Sequence, residues 1–103
     1  MNKKHYFMKL IPPRPTFAQD MSPEERLLMQ EHIRYMQEHF VAGRVLIYGP
    51  VAASDGGFGM AVLEVADEEE ARRFVDGDPT AKTGLNRFEL SPMRIGAARG
   101  TQT

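Results

Sequence analysis

The order of strand-like and helical segments is the feature that most constrains how this chain can fold. Four segments are rich in aromatic and β-branched residues, as strands are: residues 5–11, 44–51, 58–66 and 85–90. One segment with helix-start signals lies between the first and second of these, and another lies between the third and fourth. The chain therefore reads β-α-β-β-α-β.

The first helical segment has clear signals at both ends. Ser22 supplies an N-cap hydroxyl, Pro23 suits the first helical position, and Glu25 completes a capping box. Gly43 marks the other end, so we expect a helix of roughly 20 residues. Apolar residues at helical spacing predict the face that packs on the sheet: Met29, Ile33, Met36 and Phe40.

The second helical segment begins after Asp67, which suits an N-cap, and continues to about Asp76. Three glutamates follow the cap, where the helix dipole favours negative charge. Gly77 is placed to end this helix as a C-cap glycine. Two ion pairs with i,i+4 spacing are predicted on its surface: Glu68 with Arg72 and Glu69 with Arg73.

This order of elements is the split βαβ arrangement of ferredoxin-like domains, an α+β fold with both helices on one face of a four-stranded antiparallel sheet. On the third strand, Leu63 and Val65 can face the helices. Three apolar residues alternate with them and point to the opposite face: Phe58, Met60 and Val62. An isolated two-layer domain leaves that face in water, so we expect a second copy of the chain to cover it in a twofold homodimer.

Composition excludes several classes of function. The 103 residues include no cysteine, which excludes thiol nucleophiles, zinc knuckles, iron–sulfur clusters and disulfide scaffolds. A net charge of −1 argues against nucleic acid and membranes as partners, and no apolar run approaches the roughly 20 residues of a membrane span. We expect a cytoplasmic protein with one domain at residues 1–95 and a disordered tail at residues 96–103.

His32 is the histidine whose position most favours chemistry, because it borders the predicted packing face of the first helix. A partly buried imidazole beside a carboxylate can act as a general base or acid, but a histidine at a core edge can also simply bond to backbone. His39 lies two turns further on, too far to share a metal ion with His32, and suits a partner of the helix C-terminal dipole. No functional role is assigned to His5.

Asp78 is the second candidate. It lies between Gly77 and Pro79, and a residue before proline is extended, which fixes the direction of its carboxylate. Asp-Pro is also a common turn sequence. The loop after the second helix can approach the first helix, so a His32–Asp78 pair is geometrically possible. In such a pair the carboxylate sets the imidazole tautomer and leaves the other ring nitrogen for a substrate.

Gly56, Gly57 and Gly59 lie between two strands and lack the helix that follows in nucleotide sites, so no cofactor is predicted. The acidic run at residues 67–70 is interpreted as a helix start, so no metal site is predicted either. A wider set of residues has a recognisable spacing: His32, Gly43, Gly49, Pro50, Asp78, Pro79 and Gly84. In these residues, over about residues 4–95, the chain resembles the YciI-like (YCII-related) family of small bacterial proteins. The resemblance implies a dimeric α+β barrel, in which two sheets pack face to face.

The resemblance also implies that His32 and Asp78 form the active site. The known chemistry in this family is a lyase-like elimination on a small hydroxyquinone-type molecule, but the long loop at residues 12–21 argues against transferring that substrate.

Two functions stay open. One is a cofactor-free enzyme in which His32, oriented by Asp78, moves a proton on a small cyclic or aromatic molecule. The other is a non-catalytic dimeric small-molecule-binding or regulatory module in which the pair is a structural hydrogen bond.

Overall fold

The computed structural model describes residues 2–100 and contains one four-stranded antiparallel sheet with the strand order β2-β3-β1-β4. The elements are β1 Lys4–Ile11, α1 Phe17–Asp20, α2 Pro23–Val41, β2 Val45–Val51, β3 Phe58–Val65, α3 Glu68–Asp76, α4 Pro79–Lys82 and β4 Arg87–Met93. The predicted ferredoxin-like α+β fold is confirmed. Two short helices, α1 and α4, are additional to it, because four-residue helices have no detectable periodicity.

The hydrophobic core lies between the sheet and the two long helices, α2 and α3. Alternate residues of β1 and β3 point into it, and Met36 and Phe74 meet them from the helices. Its buried members are Tyr6, Met8, Met36, Val45, Ala61, Leu63, Val65, Ala71 and Phe74. Both long helices therefore cover the same face of the sheet, as predicted, and Leu63 and Val65 face them.

The opposite face of the sheet, which we call the open sheet face, is defined by Phe7, Phe58, Met60 and Val62. Phe7 lies opposite Val62 in the pairing of β1 with β3. Val62 is buried, whereas the other three are half-buried. The open sheet face therefore presents apolar side chains that no described helix covers.

Helix α2 packs on the sheet through a different face from the predicted one. Met36 is buried and Met29 is half-buried, but Ile33 and Phe40 are 58% and 44% exposed. The side chains nearest the core lie on an adjacent face: Leu28, His32, Tyr35, Met36 and His39. Three of these are polar, and each finds a hydrogen-bond partner inside the fold, so their burial costs little.

The loop at residues 12–21 is attached to the first turn of α2. Its Arg14 guanidinium donates to both carboxylate oxygens of Glu25, at 3.0 and 2.8 Å, and to Asp20 Oδ1 at 2.8 Å. Glu25 also completes the predicted capping box with Ser22. The bonds from Arg14 and then from Ser22 lower the pKa of Glu25 to about 2. The long loop is therefore held against the helix start.

Strand β4 differs from the prediction, which placed it at residues 85–90 and ended it before Pro92. The observed strand, Arg87–Met93, includes Pro92, which lies opposite Tyr6. Since β4 is an edge strand paired with β1 alone, it is a place where a sheet tolerates a proline.

The two predicted ion pairs on α3 are both present.

The chain after β4 has no helix or strand at residues 96–100. The predicted disordered tail also includes residues 101–103, which lie outside the described residues, so the tail and the domain boundary stay predictions. Within residues 2–100, no helix is long and apolar enough to cross a membrane. The cytoplasmic location stays a prediction as well.

Candidate active site

A hydrogen bond between His32 and Asp78 joins the middle of α2 to the start of α4. The distance from His32 Nδ1 to Asp78 Oδ2 is 2.6 Å, across 46 positions of sequence. The side chain of His32 is 12% exposed and that of Asp78 is 1% exposed. The structure therefore brings together the two residues that the sequence analysis singled out.

Asp78 is positioned by the local chain. It is the N-cap of α4 and has the extended backbone expected before Pro79, with φ −68° and ψ 132°. Its Oδ1 accepts hydrogen bonds from the Thr80 backbone N–H at 2.8 Å and from the Thr80 hydroxyl at 2.7 Å. Each carboxylate oxygen therefore has its own partner, and the carboxylate cannot rotate without breaking three hydrogen bonds.

The Asp78 carboxyl is ionised at neutral pH. Burial by itself raises the pKa of Asp78, but the hydrogen bond and charge of His32 and the bonds from Thr80 outweigh burial and hold the pKa below its usual value of 3.8. An ionised carboxylate is only an acceptor, so His32 Nδ1 carries the proton in this bond. In the neutral ring, the lone pair is then on Nε2, to which no side chain among residues 2–100 is seen to bond.

The lowered pKa of Asp78 predicts a contribution to stability that disappears in acid. A carboxyl with a lower pKa in the folded state stabilises the fold above its unfolded pKa, and this contribution is lost as the pH falls through the folded value. We expect wild type to exceed Asp78→Asn in unfolding free energy near neutral pH, with a difference that shrinks below about pH 4. Urea titrations of both proteins across this range measure it. A difference independent of pH would contradict the assignment.

Asn86 lies beside the pair and directly precedes β4. Its backbone N–H donates to the Thr80 carbonyl at 3.2 Å, and its Nδ2 is 3.5 Å from Sδ of Met29, one helical turn before His32. The residue is 4% exposed, and its Oδ1 is buried with no hydrogen-bond partner among residues 2–100. Leaving such an oxygen unpaired inside the fold is costly.

Tyr35 and His39 continue the same face of α2 and pack against Phe74 of α3. The His39 ring lies 4.3 Å from the Tyr35 ring and 4.8 Å from the Phe74 ring, centroid to centroid. His39 Nδ1 accepts a hydrogen bond from Arg44 Nε at 2.7 Å, and burial, with the charge of Arg44, lowers the pKa of His39. A neutral ring does not complement a helix dipole, so His39 has a packing role instead of the predicted one.

The other candidate features lie away from the pair. His5 Nε2 is 3.0 Å from Glu64 Oε2, on the strands of the sheet. A groove of about 630 Å³ lies beside α2 and β2, and its lining includes Phe40, Ile47 and Tyr48. A smaller one, of about 240 Å³, lies between α3 and β4, and neither is lined by His32 or Asp78. No group of His, Asp and Glu in residues 2–100 is arranged to hold a metal ion.

Comparison with known families gives a match over most of the chain: the model of the YCII-related domain matches residues 6–94. This protein belongs to the YCII-related family. The family expected from the sequence is therefore confirmed. A search of curated proteins finds no significant match for this YCII-related protein.

A solved structure with a similar fold is 5-chloro-2-hydroxyhydroquinone dehydrochlorinase (TftG) from Burkholderia phenoliruptrix AC1100, in complex with 2,5-dihydroxybenzoquinone. The TM-score is 0.65 at 19% sequence identity, over 88% of this chain and 95% of that chain. At this identity the likeness supports the fold of the YCII-related protein and no more.

Sequence reasoning missed three residues beside the pair: Tyr35, Thr80 and Asn86. A signal for Thr80 was present, since Asp-Pro-Thr places a hydroxyl at the second position after an N-cap aspartate. No local signal marked Asn86, because the side chain that it contacts is 57 positions away. Tyr35 also has no local signal, because its hydroxyl donates to the carbonyl of Phe74, which is 39 positions further along the chain.

Proposed function

We propose that this YCII-related protein is a cofactor-free enzyme that moves a proton on a small cyclic or aromatic molecule. In this proposal His32 is the general base and acid, and Asp78 is the residue that orients it. The observation that carries the proposal is the 2.6 Å bond from His32 Nδ1 to an Asp78 carboxylate that is almost completely buried. This arrangement leaves Nε2 as the nitrogen that meets a substrate.

The proposed reaction begins when Nε2 takes a proton from a C–H or O–H group beside a carbonyl or in a phenol. The imidazolium that forms is stabilised by the Asp78 carboxylate through a charge-assisted hydrogen bond. The electron pair left on the substrate spreads into its ring. In a lyase-like elimination, that pair forms a new double bond while the leaving group departs with its own bonding pair, and Nε2 later releases its proton.

A structural neighbour supports a hydroxylated ring as the substrate class. TftG, which has the same fold, is by its name a dehydrochlorinase of a hydroxylated aromatic and was solved with a dihydroxybenzoquinone.

We also propose that the protein is a homodimer in which two open sheet faces pack together. Support comes from the apolar character of that face, where Phe7, Phe58 and Met60 are half-buried and no helix within residues 2–100 covers them. Large contiguous apolar patches on small domains are typical of interfaces. Neither nucleic acid nor a membrane is proposed as a partner, because the chain has nearly balanced charge.

A thermal-shift screen tests ligand binding at His32. The panel consists of small aromatic, quinone and carbonyl compounds, each hydroxylated member paired with an analogue that lacks the hydroxyl. We expect a hydroxylated compound to raise the wild-type melting temperature by roughly 10 °C at about 100 times its Kd, and His32→Gln to abolish this shift. The matched control is His5→Gln, which changes the other carboxylate-bound histidine and should keep the shift.

A different result would favour the non-catalytic module. If no compound stabilises wild type, and His32→Gln melts more than roughly 5 °C below it, the pair serves the fold. A compound that stabilises all three proteins equally binds elsewhere and also contradicts the proposal.

A further inference from the structure

Tyr35 and Gly77 form a close contact beside the His32–Asp78 pair. Tyr35 lies one turn after His32 on α2, and Gly77 directly precedes Asp78. A Cβ atom added to Gly77 would lie 2.5 Å from the Tyr35 hydroxyl oxygen, closer than real Cβ atoms approach. Gly77 has φ −81° and ψ −11°, which any residue can adopt. The contact with Tyr35, and not the predicted helix-end conformation, is therefore what requires glycine here.

The Tyr35 hydroxyl is held where it is. It donates to the Phe74 carbonyl at 2.7 Å, and the two rings lie 5.4 Å apart. Phe74 is in the last turn of α3, where carbonyls have no helical partner, and Tyr35 supplies the missing donor. Burial, followed by the charge of Asp78, raises the pKa of Tyr35 to about 12, so the hydroxyl keeps its proton and remains a donor.

We propose that Tyr35 is a positioning residue whose hydroxyl, in contact with Gly77, sets the distance between His32 and Asp78. His32 and Tyr35 are on one rigid helix, and Gly77 and Asp78 are adjacent in the chain. The hydrogen bond of the pair and the Tyr35–Gly77 contact therefore attach the same two elements at two points. The role in catalysis rests on the proposed function, whereas the role in geometry does not.

A rescue experiment tests this inference. Gly77→Ala should push Tyr35 and the Asp78 segment apart, lowering the melting temperature by roughly 5–10 °C and reducing the fraction of His32 with its proton on Nδ1. The ¹⁵N chemical shifts of the His32 ring report that fraction without any substrate. Tyr35→Phe removes the oxygen that the new Cβ meets. In the Tyr35→Phe background we expect Gly77→Ala to lower the melting temperature by less than half as much. The ring ¹⁵N shifts of His32 in this double variant should equal those of Tyr35→Phe alone.

Gly96→Ala is the matched control, because nothing lies within 4 Å of its added Cβ. It should change neither the melting temperature nor the His32 signal.

Equal losses of melting temperature from Gly77→Ala in the wild-type and Tyr35→Phe backgrounds would overturn the proposal, since the Cβ would then act through the Arg73 carbonyl, 3.3 Å away. An unchanged His32 signal in Gly77→Ala would overturn it too. Since neither readout uses a ligand, failure of the compound screen leaves this test intact.

Discussion

Replacing Asp78 with asparagine is expected to stop proton transfer while leaving the fold in place. Asparagine has the same shape, and its carbonyl oxygen can still accept both bonds from Thr80. Its NH₂ group then faces His32 Nδ1 and donates to it, so the ring proton moves to Nε2. The nitrogen proposed to act as the base no longer has a free lone pair. We expect kcat to fall by about 10⁴-fold, the size of effect seen when a catalytic histidine is held in the wrong tautomer.

Two measurements check the Asp78→Asn result. Turnover is measured on the compound that the thermal-shift screen identifies, and ring ¹⁵N shifts identify the tautomer of His32 in the absence of any compound. Glu64→Gln is the control, because it removes the carboxylate that bonds to His5. It should leave both readouts unchanged. If Asp78→Asn moves the ring proton but keeps more than roughly a tenth of the activity, His32 is not the base.

A single acidic substitution on the open sheet face is expected to turn the proposed dimer into a monomer. Phe7 lies on an inner strand, opposite Val62 of β3 and Ser91 of β4. In a twofold sheet-to-sheet dimer, Phe7→Asp places a carboxylate in the apolar interface twice, once from each protomer. Burying an unpaired charge costs several kcal/mol, so the dimer Kd should rise by at least about 100-fold. The core survives, because Phe7 points away from the helices.

Two polar residues of β1 lie on the open sheet face beside Phe7. Lys9 is opposite Met60 on β3 and Glu89 on β4, and its ammonium lies 4.8 Å from the centroid of the Phe58 ring. His5 Nε2 is 3.0 Å from Glu64 Oε2. The open sheet face therefore combines apolar side chains with polar ones, as many protein interfaces do.

Sedimentation equilibrium at micromolar concentration measures the effect. Ile33→Asp provides the matched control, since it introduces the same charge at a residue of α2 that is 58% exposed and lies outside the sheet. It should remain a dimer. A monomeric wild type would rule out the sheet-to-sheet dimer, and dissociation by Ile33→Asp would place the interface on the helices instead.

The sequence by itself determined the order of the four strands and the two long helices, and with it the fold. The signals are local: the capping box of Ser22 and Glu25, and the N-cap of Asp67, act within one helical turn. Alternation along β3 likewise assigned Leu63 and Val65 to the core. These signals depend on backbone geometry over a few residues, so they can be read without knowing the rest of the chain.

The tertiary structure decided which face of α2 is buried and which neighbours complete the candidate site. Apolar spacing alone selected Ile33 and Phe40, both of which are exposed. A polar side chain such as His32 or Tyr35 can be buried only where a partner meets it, and those partners lie 46 and 39 positions away. Asp78 could be singled out from its proline neighbour, but its bond to His32 exists only because the fold brings two distant segments together.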